Sequence, residues 1–284
     1  MSESSRWSFA LSWRWFGYLV FVVIFAIACG FLSNWQFDRR EEKASANERV
    51  AANFDAEPVA VDEVLGSLDA YTQADEWRPV ELHGQYLADG QLLARARPRN
   101  GYPGFEILTP FQLDDGRVFI VNRGWIPTGS EQDYPDAVPA PPSGHVTVVA
   151  RLKAGERSIP GRSAPPGQIA TIHLPTFADK YGADRTFVGA YGLLAFESPP
   201  AETGELVGRP VFNEGNHLSY ALQWIVFAVI AVVALGLAVR NEYRLRNPDD
   251  PRVKAAKQRA ERRKKRRKPT DAEEEDALLD ASSA

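Results

Sequence analysis

Cysteine and methionine are almost absent from this 284-residue chain. Its one cysteine, Cys29, excludes a disulfide framework and a Cys-rich zinc site. Its one methionine, Met1, excludes a Met-rich site of the kind that binds Cu(I). Motifs of catalysis are missing as well, since there is no GxSxG, no P-loop and no HExxH. The sequence therefore points away from a copper carrier and from the common hydrolase and P-loop enzyme classes.

Charged residues are missing from two long stretches of the chain, residues 15–37 and 218–239. Both consist mostly of Leu, Val, Phe, Ile and Ala. About 20 apolar residues in a helix cross a hydrocarbon core of roughly 30 Å. We therefore predict two transmembrane helices, and Trp13, Trp15 and Trp35 bracket the first one as interfacial aromatic residues do.

Positive charge determines the predicted orientation. Residues 240–268 contain 14 Lys or Arg and four acidic residues, and such flanks stay in the cytoplasm. The N-terminal residues 1–14 and the C-terminal residues 240–284 are then both cytoplasmic, and residues 38–217 form the extracytoplasmic part. The C-terminal segment, basic and then acidic, is predicted to be a disordered tail. Attraction of its cations to anionic lipid headgroups is the alternative role.

Lipidation or cleavage of the first apolar stretch fits the sequence less well than a retained transmembrane helix does. A lipidated Cys29 requires a lipobox, but Ala26 stands where leucine is usual and apolar residues continue past the cysteine. A cleaved secretory signal requires small residues where Trp35 and Gln36 follow the stretch. Fourteen residues with two arginines do not make a mitochondrial transit peptide. The expected location is the bacterial plasma membrane.

The central part of the chain is predicted to be one β-rich domain. Its net charge of −9 over residues 35–217 argues against binding to nucleic acid. Asp115-Gly116 lies between two alternating apolar stretches, which is a strong hairpin signal. Alternation predicts strands at residues 78–86, 91–97, 105–113, 117–121, 146–152, 169–174 and 186–196, and short helices at 61–70 and 176–181. The predicted class is an α+β membrane protein, with two transmembrane helices flanking a mixed or barrel-like antiparallel sheet.

Three of the four histidines, His83, His145 and His173, have no ligand-like spacing, and we expect structural or surface roles for them. His217 differs because it immediately precedes the second apolar stretch. On a helix it shares one face with three residues at i+3, i+4 and i+7: Tyr220, Ala221 and Trp224.

Because the two predicted spans are antiparallel, Trp35 and Gln36 at the outer end of the first span can lie near the His217 face. Arg39, Arg40 and Lys43 follow in the sequence. Such a group can ligate a haem iron through imidazole and bind the propionates through its cations. Interfacial aromatic residues and a histidine without any ligand fit the same pattern.

A second notable segment is the end of the second hairpin, residues 121–127, with the sequence VNRGWIP. Gly124 permits a turn or bulge, Trp125 offers a large apolar face and Pro127 ends the strand. Arg123 either faces an acidic partner or pairs within the domain. The segment is thus a structural corner or a surface for a partner protein.

Four segments together resemble the Surfeit-locus protein one family of cytochrome c oxidase assembly factors. Each is short, but they occur in the family's order around two spans and cover nearly the whole chain before the tail. They are residues 35–43 (similar to WQxxRxxxK), Arg78-Pro79-Val80 with Gly84 and Tyr86, residues 121–127 (VNRGWxP), and residues 216–224 (NHxxYAxQW).

The resemblance implies a non-enzymatic membrane chaperone of the respiratory chain. It implies that the protein helps haem a enter, or stay in, the catalytic subunit of cytochrome c oxidase, binding haem a transiently and carrying no copper. The residues implicated are His217 as a possible haem iron ligand, Tyr220, Trp224, Trp35 and Gln36 around it, and Arg123, Gly124 and Trp125 toward protein partners.

One position departs from the family pattern. Many members have Asn-Asn-His where this chain has Gly215-Asn216-His217, which argues against a side-chain role for the first residue here. The alternative function is a cofactor-free scaffold that binds oxidase subunits, and an enzyme with a periplasmic active site fits the sequence worst. The lipid bilayer is an expected partner in each case.

Overall fold

A computed structural model describes residues 6–131, 133–212 and 215–266, and the chain divides into two compact units. The helical unit comprises residues 1–40 and 215–284, and the β unit comprises residues 41–214. The described part of the first unit is built of long helices and that of the second around one sheet. The predicted α+β class is therefore confirmed.

The described residues form five α-helices and eight strands. The helices are α1 Trp13–Asn53, α2 Val61–Val64, α3 Pro175–Tyr181, α4 His217–Arg246 and α5 Pro251–Arg266. The strands are β1 Val59–Ala60, β2 Pro79–Tyr86, β3 Leu92–Ala94, β4 Gly104–Leu113, β5 Val118–Pro127, β6 Val146–Ala154, β7 Gln168–Ile169 and β8 Ala190–Ser198.

Helices α1 and α4 coincide with the two predicted spans, and both are long and apolar enough to cross a membrane. Their ends lie further out than the apolar stretches do. Helix α1 runs 16 residues beyond the predicted boundary at residue 37, because residues 38–53 are rich in Ala, Glu and Arg, which favour helix without being apolar.

Within the helical unit, α1 and α4 pack antiparallel. Ser33 is buried on α1 and its hydroxyl donates to the carbonyl of Ala221 at 3.0 Å. Toward the other ends of the helices, Arg14 pairs with Glu242 at 2.9 Å. Cys29 is 1% exposed, so the single thiol is enclosed by packing rather than presented to solvent. The small Ser33 and Ala221 side chains let the two backbones approach closely at this level.

The sheet of the β unit closes on itself. Its strand order is β1-β2-β6-β8-β5-β4-β3-β7, and β2 also pairs with β4. Strands β2, β6, β8, β5 and β4 therefore form a closed ring, antiparallel except for the parallel pair β5 and β8. This is the mixed, barrel-like arrangement that the alternating pattern predicts, and closure removes the exposed edges of these strands.

Two large apolar clusters, and a smaller third one of Leu93, Phe105, Ile107 and Ile126, fill the described part of the β unit. The larger lies among the ring strands and includes Leu82, Phe111, Phe119 and Val148, each at most 1% exposed. The second forms where α3 inserts Phe177 against β4, β5 and β8. Strand β5 is buried over nearly its whole length, so it reads as a continuous apolar stretch rather than an alternating one.

Several predicted elements are shorter in the structure. Strand β3 ends at Ala94 rather than residue 97, because Ala96 adopts a positive φ of 56° that breaks an extended chain. Strand β7 has two residues instead of the predicted 169–174, and the helix predicted at 61–70 ends at Val64.

The predicted disordered tail also differs from the structure. Residues 251–266 form helix α5, whose Lys, Arg, Gln and Ala residues are good helix formers. The remainder of that prediction, residues 267–284, lies outside the described residues.

Candidate functional site

The helical unit brings together the two sequence segments on either side of the β unit in the chain. His217 begins α4, and its Nδ1 lies 2.9 Å from Oε1 of Gln36 on α1. With the amide oxygen as the acceptor, Nδ1–H is the donor of this contact. A neutral ring in this tautomer has its lone pair on Nε2, one of the two ring nitrogens that can ligate a metal.

Gly215 shapes the space beside that nitrogen. Its φ is +65°, and a Cβ built on it would lie 3.2 Å from Nε2 of His217. An asparagine tolerates this φ, since Asn and Gly are the residues most often found there, but its side chain would crowd the ring. Glycine in this chain therefore leaves more room next to Nε2 than the Asn-Asn-His pattern does.

The remaining residues predicted for the His217 face differ in their exposure to solvent. Ala221 is fully buried against α1, whereas Tyr220 and Trp35 are each 50% exposed. Trp224 is half-buried and packs edge-on against Phe227. The Arg39 guanidinium lies 5.7 Å from the ring centre of Trp35, so a cation and an aromatic face occur at the same level of α1.

Arg123 resolves one of the alternatives that the sequence left open. Its side chain is fully buried, and its Nη2 donates to Oε1 of Glu197 at 2.8 Å. Tyr86 donates to Oε2 of the same carboxylate at 2.8 Å and lies under the guanidinium. Burial, and then the charge of Glu197, raise the pKa of Tyr86 far above its usual value, so its hydroxyl remains a donor. Arg123 therefore pairs within the domain.

Gly124 and Trp125 hold a second chain segment against β5. The φ of Gly124 is +106°, and a Cβ there would lie 2.6 Å from the Gly204 carbonyl carbon. Trp125 exchanges backbone hydrogen bonds with Glu205, at 3.0 and 2.7 Å, and its indole Nε1 donates to the carbonyl of Arg97 at 2.6 Å. The predicted structural corner is what these contacts build.

A polar cluster that the sequence did not indicate lies beside Trp125. Arg97 makes a double hydrogen bond to Glu156, at 2.8 and 2.6 Å, and its Nε is 3.7 Å from Oε2 of Glu106. Asn122, 2% exposed, completes the cluster. Arg97, Glu106 and Asn122 line a cleft of about 570 Å³ together with Trp125. No motif joins positions 97, 106 and 156, so only the strand pairing reveals the cluster.

The two carboxyls of this cluster differ in pKa. Burial raises the pKa of Glu106 despite the nearby Arg97 charge. Burial acts the same way on Glu156, but the hydrogen bonds from Arg97 and from the Ile172 N–H, together with the charges of Arg97 and Lys153, hold the pKa of Glu156 below its usual value. At neutral pH the Glu106 charge therefore opposes folding, and the Glu156 charge favours it.

Substitution at these carboxyls should therefore act in opposite directions. A raised folded pKa means that stability is lost as pH rises through it, so Glu106→Gln is expected to raise the unfolding temperature at pH 7 and not at pH 4. Glu156→Gln should lower it at pH 7, because its stabilisation is present above the unfolded pKa. Thermal unfolding of both variants between pH 4 and 8 measures this, and a Glu106→Gln variant less stable than wild type throughout would contradict it.

The other histidines lie on the surface of the β unit. His83 contacts Glu81, His145 contacts Asp114, and His173 contacts Thr176. Among the described residues, no group of three or more His, Cys, Asp or Glu is placed to hold a metal ion.

The chain is similar in sequence to known proteins over most of its length. The sequence profile of the SURF1 family matches residues 23–229. An uncharacterized SURF1-like protein of Mycobacterium bovis is 32% identical over 246 residues, 85% of this chain and 89% of the relative. The SURF1-like protein of Monosiga brevicollis is 26% identical over 217 residues, 71% and 79% of the two chains. The cytochrome oxidase assembly protein SHY1 of Saccharomyces cerevisiae is 27% identical over 129 residues, 43% and 32%.

Proposed function

The chain belongs to the SURF1 family, and on that premise we propose that it is a membrane-bound assembly factor for cytochrome c oxidase. Its specific task in this proposal is to help haem a reach, or settle in, the catalytic subunit of the oxidase. The observation that carries the proposal is the hydrogen bond between Gln36 and His217. It joins two segments that are 181 residues apart.

The chemistry of this pair fits a haem ligand. Histidines that bind metals usually donate their second ring N–H to an oxygen acceptor, which fixes the ring orientation and raises the basicity of the ligating nitrogen. Gln36 is such an acceptor for His217. His217 would hold a bound haem through its imidazole nitrogen, and the haem would supply an iron for that nitrogen to ligate. Copper is not part of the proposal, because the chain has one cysteine and one methionine.

The surrounding residues have the roles of binding and shielding. The exposed rings of Trp35 and Tyr220 offer apolar faces to a macrocycle, and Trp224 extends that face along α4. Arg39 beside Trp35 supplies a cation for a propionate. Such a site, half exposed and held by one imidazole, suits transient rather than permanent retention of haem a.

The proposed location is the bacterial plasma membrane, with both termini in the cytoplasm. Support comes from helices α1 and α4 and from the 14 Lys or Arg of residues 240–268, which follow α4's apolar stretch. The β unit is then extracytoplasmic, where it can meet the catalytic subunit of the oxidase.

Purified protein from cells that make haem a tests the haem assignment. We expect haem a to co-purify with the wild-type chain, and His217→Ala to retain at least tenfold less because the axial nitrogen is gone. Gln36→Ala should keep the ligand but weaken haem retention about 10–100-fold, since it removes only the orienting partner. Visible spectra and haem stoichiometry measure both effects.

His173→Ala is the matched control, because it removes a partly exposed imidazole of the β unit that hydrogen-bonds to Thr176, away from Gln36 in the sequence. Equal haem in wild type and His217→Ala would remove His217 as a ligand. Haem absent from every variant, in cells whose oxidase still depends on this protein, would instead leave a protein-only assembly factor.

A cofactor-free scaffold is the second candidate function, and the cleft beside Trp125 is the observation that favours it. The half-buried Trp125 ring and the polar groups of Arg97 and Asn122 line this cleft. Arg123 and Gly124 contribute by holding the backbone beneath it. A scaffold predicts scarce but haem-replete oxidase in a deletion strain, whereas the haem function predicts oxidase that lacks haem.

A further inference from the structure

Helix α5 lies outside the range that matches the SURF1 family, which ends at residue 229. Its 16 residues include nine Lys or Arg and one acid, Glu261. A helix of this length extends about 24 Å. Like charges at i, i+4 spacing destabilise a helix, so a dense negative partner would stabilise α5 by relieving this repulsion.

Asp250 ties the start of α5 to the end of α4. Its Oδ1 accepts the backbone N–H of Arg252 at 2.7 Å, which caps the new helix. Its Oδ2 accepts the Tyr243 hydroxyl at 2.7 Å and the Arg6 guanidinium at 2.8 Å. The Asp250 side chain is 3% exposed. The first turn of α5 is thus held beside the last turns of α4, with four residues between the two helices.

The two sides of α5 differ. Val253, Ala256 and Ala260 form a narrow apolar stripe that, with Leu245 of α4, lines a groove of about 450 Å³. Cations on the rest of its described surface are exposed, including Arg252, Lys257, Arg259 and Arg262. The exposed surface of α5 is therefore dominated by positive charge, with the narrow apolar stripe facing the groove.

We propose that α5 binds the headgroups of anionic phospholipids. The proposal rests on the proposed membrane insertion of α4, which would place the first turn of α5 on the cytoplasmic side, 11 residues beyond the apolar stretch that ends at residue 239. Lys and Arg next to a span are attracted to anionic lipids, and the attraction falls off within a Debye length, about 10 Å at 0.1 M salt. Asp250 holds the first turn of α5 at the end of α4, and the exposed cations along its length of about 24 Å come within that distance when the helix lies along the bilayer surface.

Hydrogen exchange of the full-length protein in nanodiscs tests this. We expect α5 amides to exchange at least tenfold more slowly in discs with 30% phosphatidylglycerol than in discs of phosphatidylcholine alone. Sodium chloride at 0.5 M should remove the difference, because it screens the headgroup charge. The variant Lys257→Gln, Arg259→Gln, Arg262→Gln keeps helix-favouring side chains and should lose at least two thirds of the lipid effect.

The matched control changes three exposed cations of the β unit, with Arg157→Gln, Arg162→Gln and Lys180→Gln. It has the same change in net charge and should keep the full lipid effect. Equal exchange rates of the α5 amides in both kinds of disc would overturn the proposal. If those rates are slow in both, the result would favour pairing of α5 with the chain's own acidic segment, residues 271–276. Failure of membrane insertion would show separately, as protein that enters neither kind of disc.

Discussion

Replacing Arg123 with alanine is expected to lower the free energy of unfolding of the β unit by about 3–5 kcal/mol. The substitution leaves the Glu197 carboxylate buried, with the Tyr86 hydroxyl as its remaining side-chain donor. It also removes the donor to the Glu202 carbonyl, 3.0 Å away, which holds the loop after β8. Because whole domains are stable by only about 5–15 kcal/mol, we expect much of the protein to misfold at 37 °C. Guanidinium unfolding in detergent, followed by tryptophan fluorescence, measures the change.

The double variant Arg123→Met, Glu197→Leu separates a lost charge pair from a lost shape. A buried ion pair replaced by apolar residues of similar volume is often nearly neutral, so this variant should recover most of the stability that Arg123→Ala loses. Tyr86→Phe, which removes one hydrogen bond, should cost about 1–2 kcal/mol. If the free energy of unfolding of Arg123→Ala lay within about 1 kcal/mol of the wild-type value, the Arg123 guanidinium would not be the group that compensates the Glu197 charge.

Gly84→Ala should be the second most damaging change, because it acts where the ring of strands closes. Gly84 pairs with Val146 of β6 on one side and with Leu113 of β4 on the other. A Cβ at this position would lie 1.9 Å from the carbonyl oxygen of Gln112, and that atom belongs to backbone which cannot rotate away. Strand β2 must therefore separate from β4, and we expect a loss of about 3 kcal/mol or more, at or beyond the upper end for overpacking.

Gly116→Ala is the control for Gly84→Ala. Gly116 has a φ of +86° in the hairpin turn, but nothing lies within 4 Å of its added Cβ. Its substitution costs only the strain of a positive φ, about 1–2 kcal/mol. Thermal unfolding of the two variants should therefore differ clearly, and equal unfolding temperatures would mean that the β2–β4 pairing is dispensable.

Local pattern in the sequence predicted most of the elements. Hydrophobic periodicity and turn residues, which are properties of neighbouring positions, predicted the apolar stretches of α1 and α4 and the Asp115-Gly116 hairpin. They also predicted strands β2, β4 and β6. Where local pattern was weak, the prediction was wrong at the ends, as at β3 and β7. The prediction of a disordered tail was also wrong for α5. Its charges resemble those of a disordered tail, but most of its residues are Ala, Lys, Arg, Gln or Glu, which favour helix.

The sequence by itself determined the class of the protein, the two apolar helices and, through the short motifs, the choice of His217, Arg123 and their neighbours as candidate site residues. The tertiary structure alone decided what those residues touch: that β2 pairs with β4 and closes the ring, that Arg123 meets Glu197, and that Gln36 accepts from His217. The reason is physical. Periodicity and turn chemistry act between neighbours along the chain, whereas these contacts join residues 27 to 181 positions apart and form only when the whole core packs.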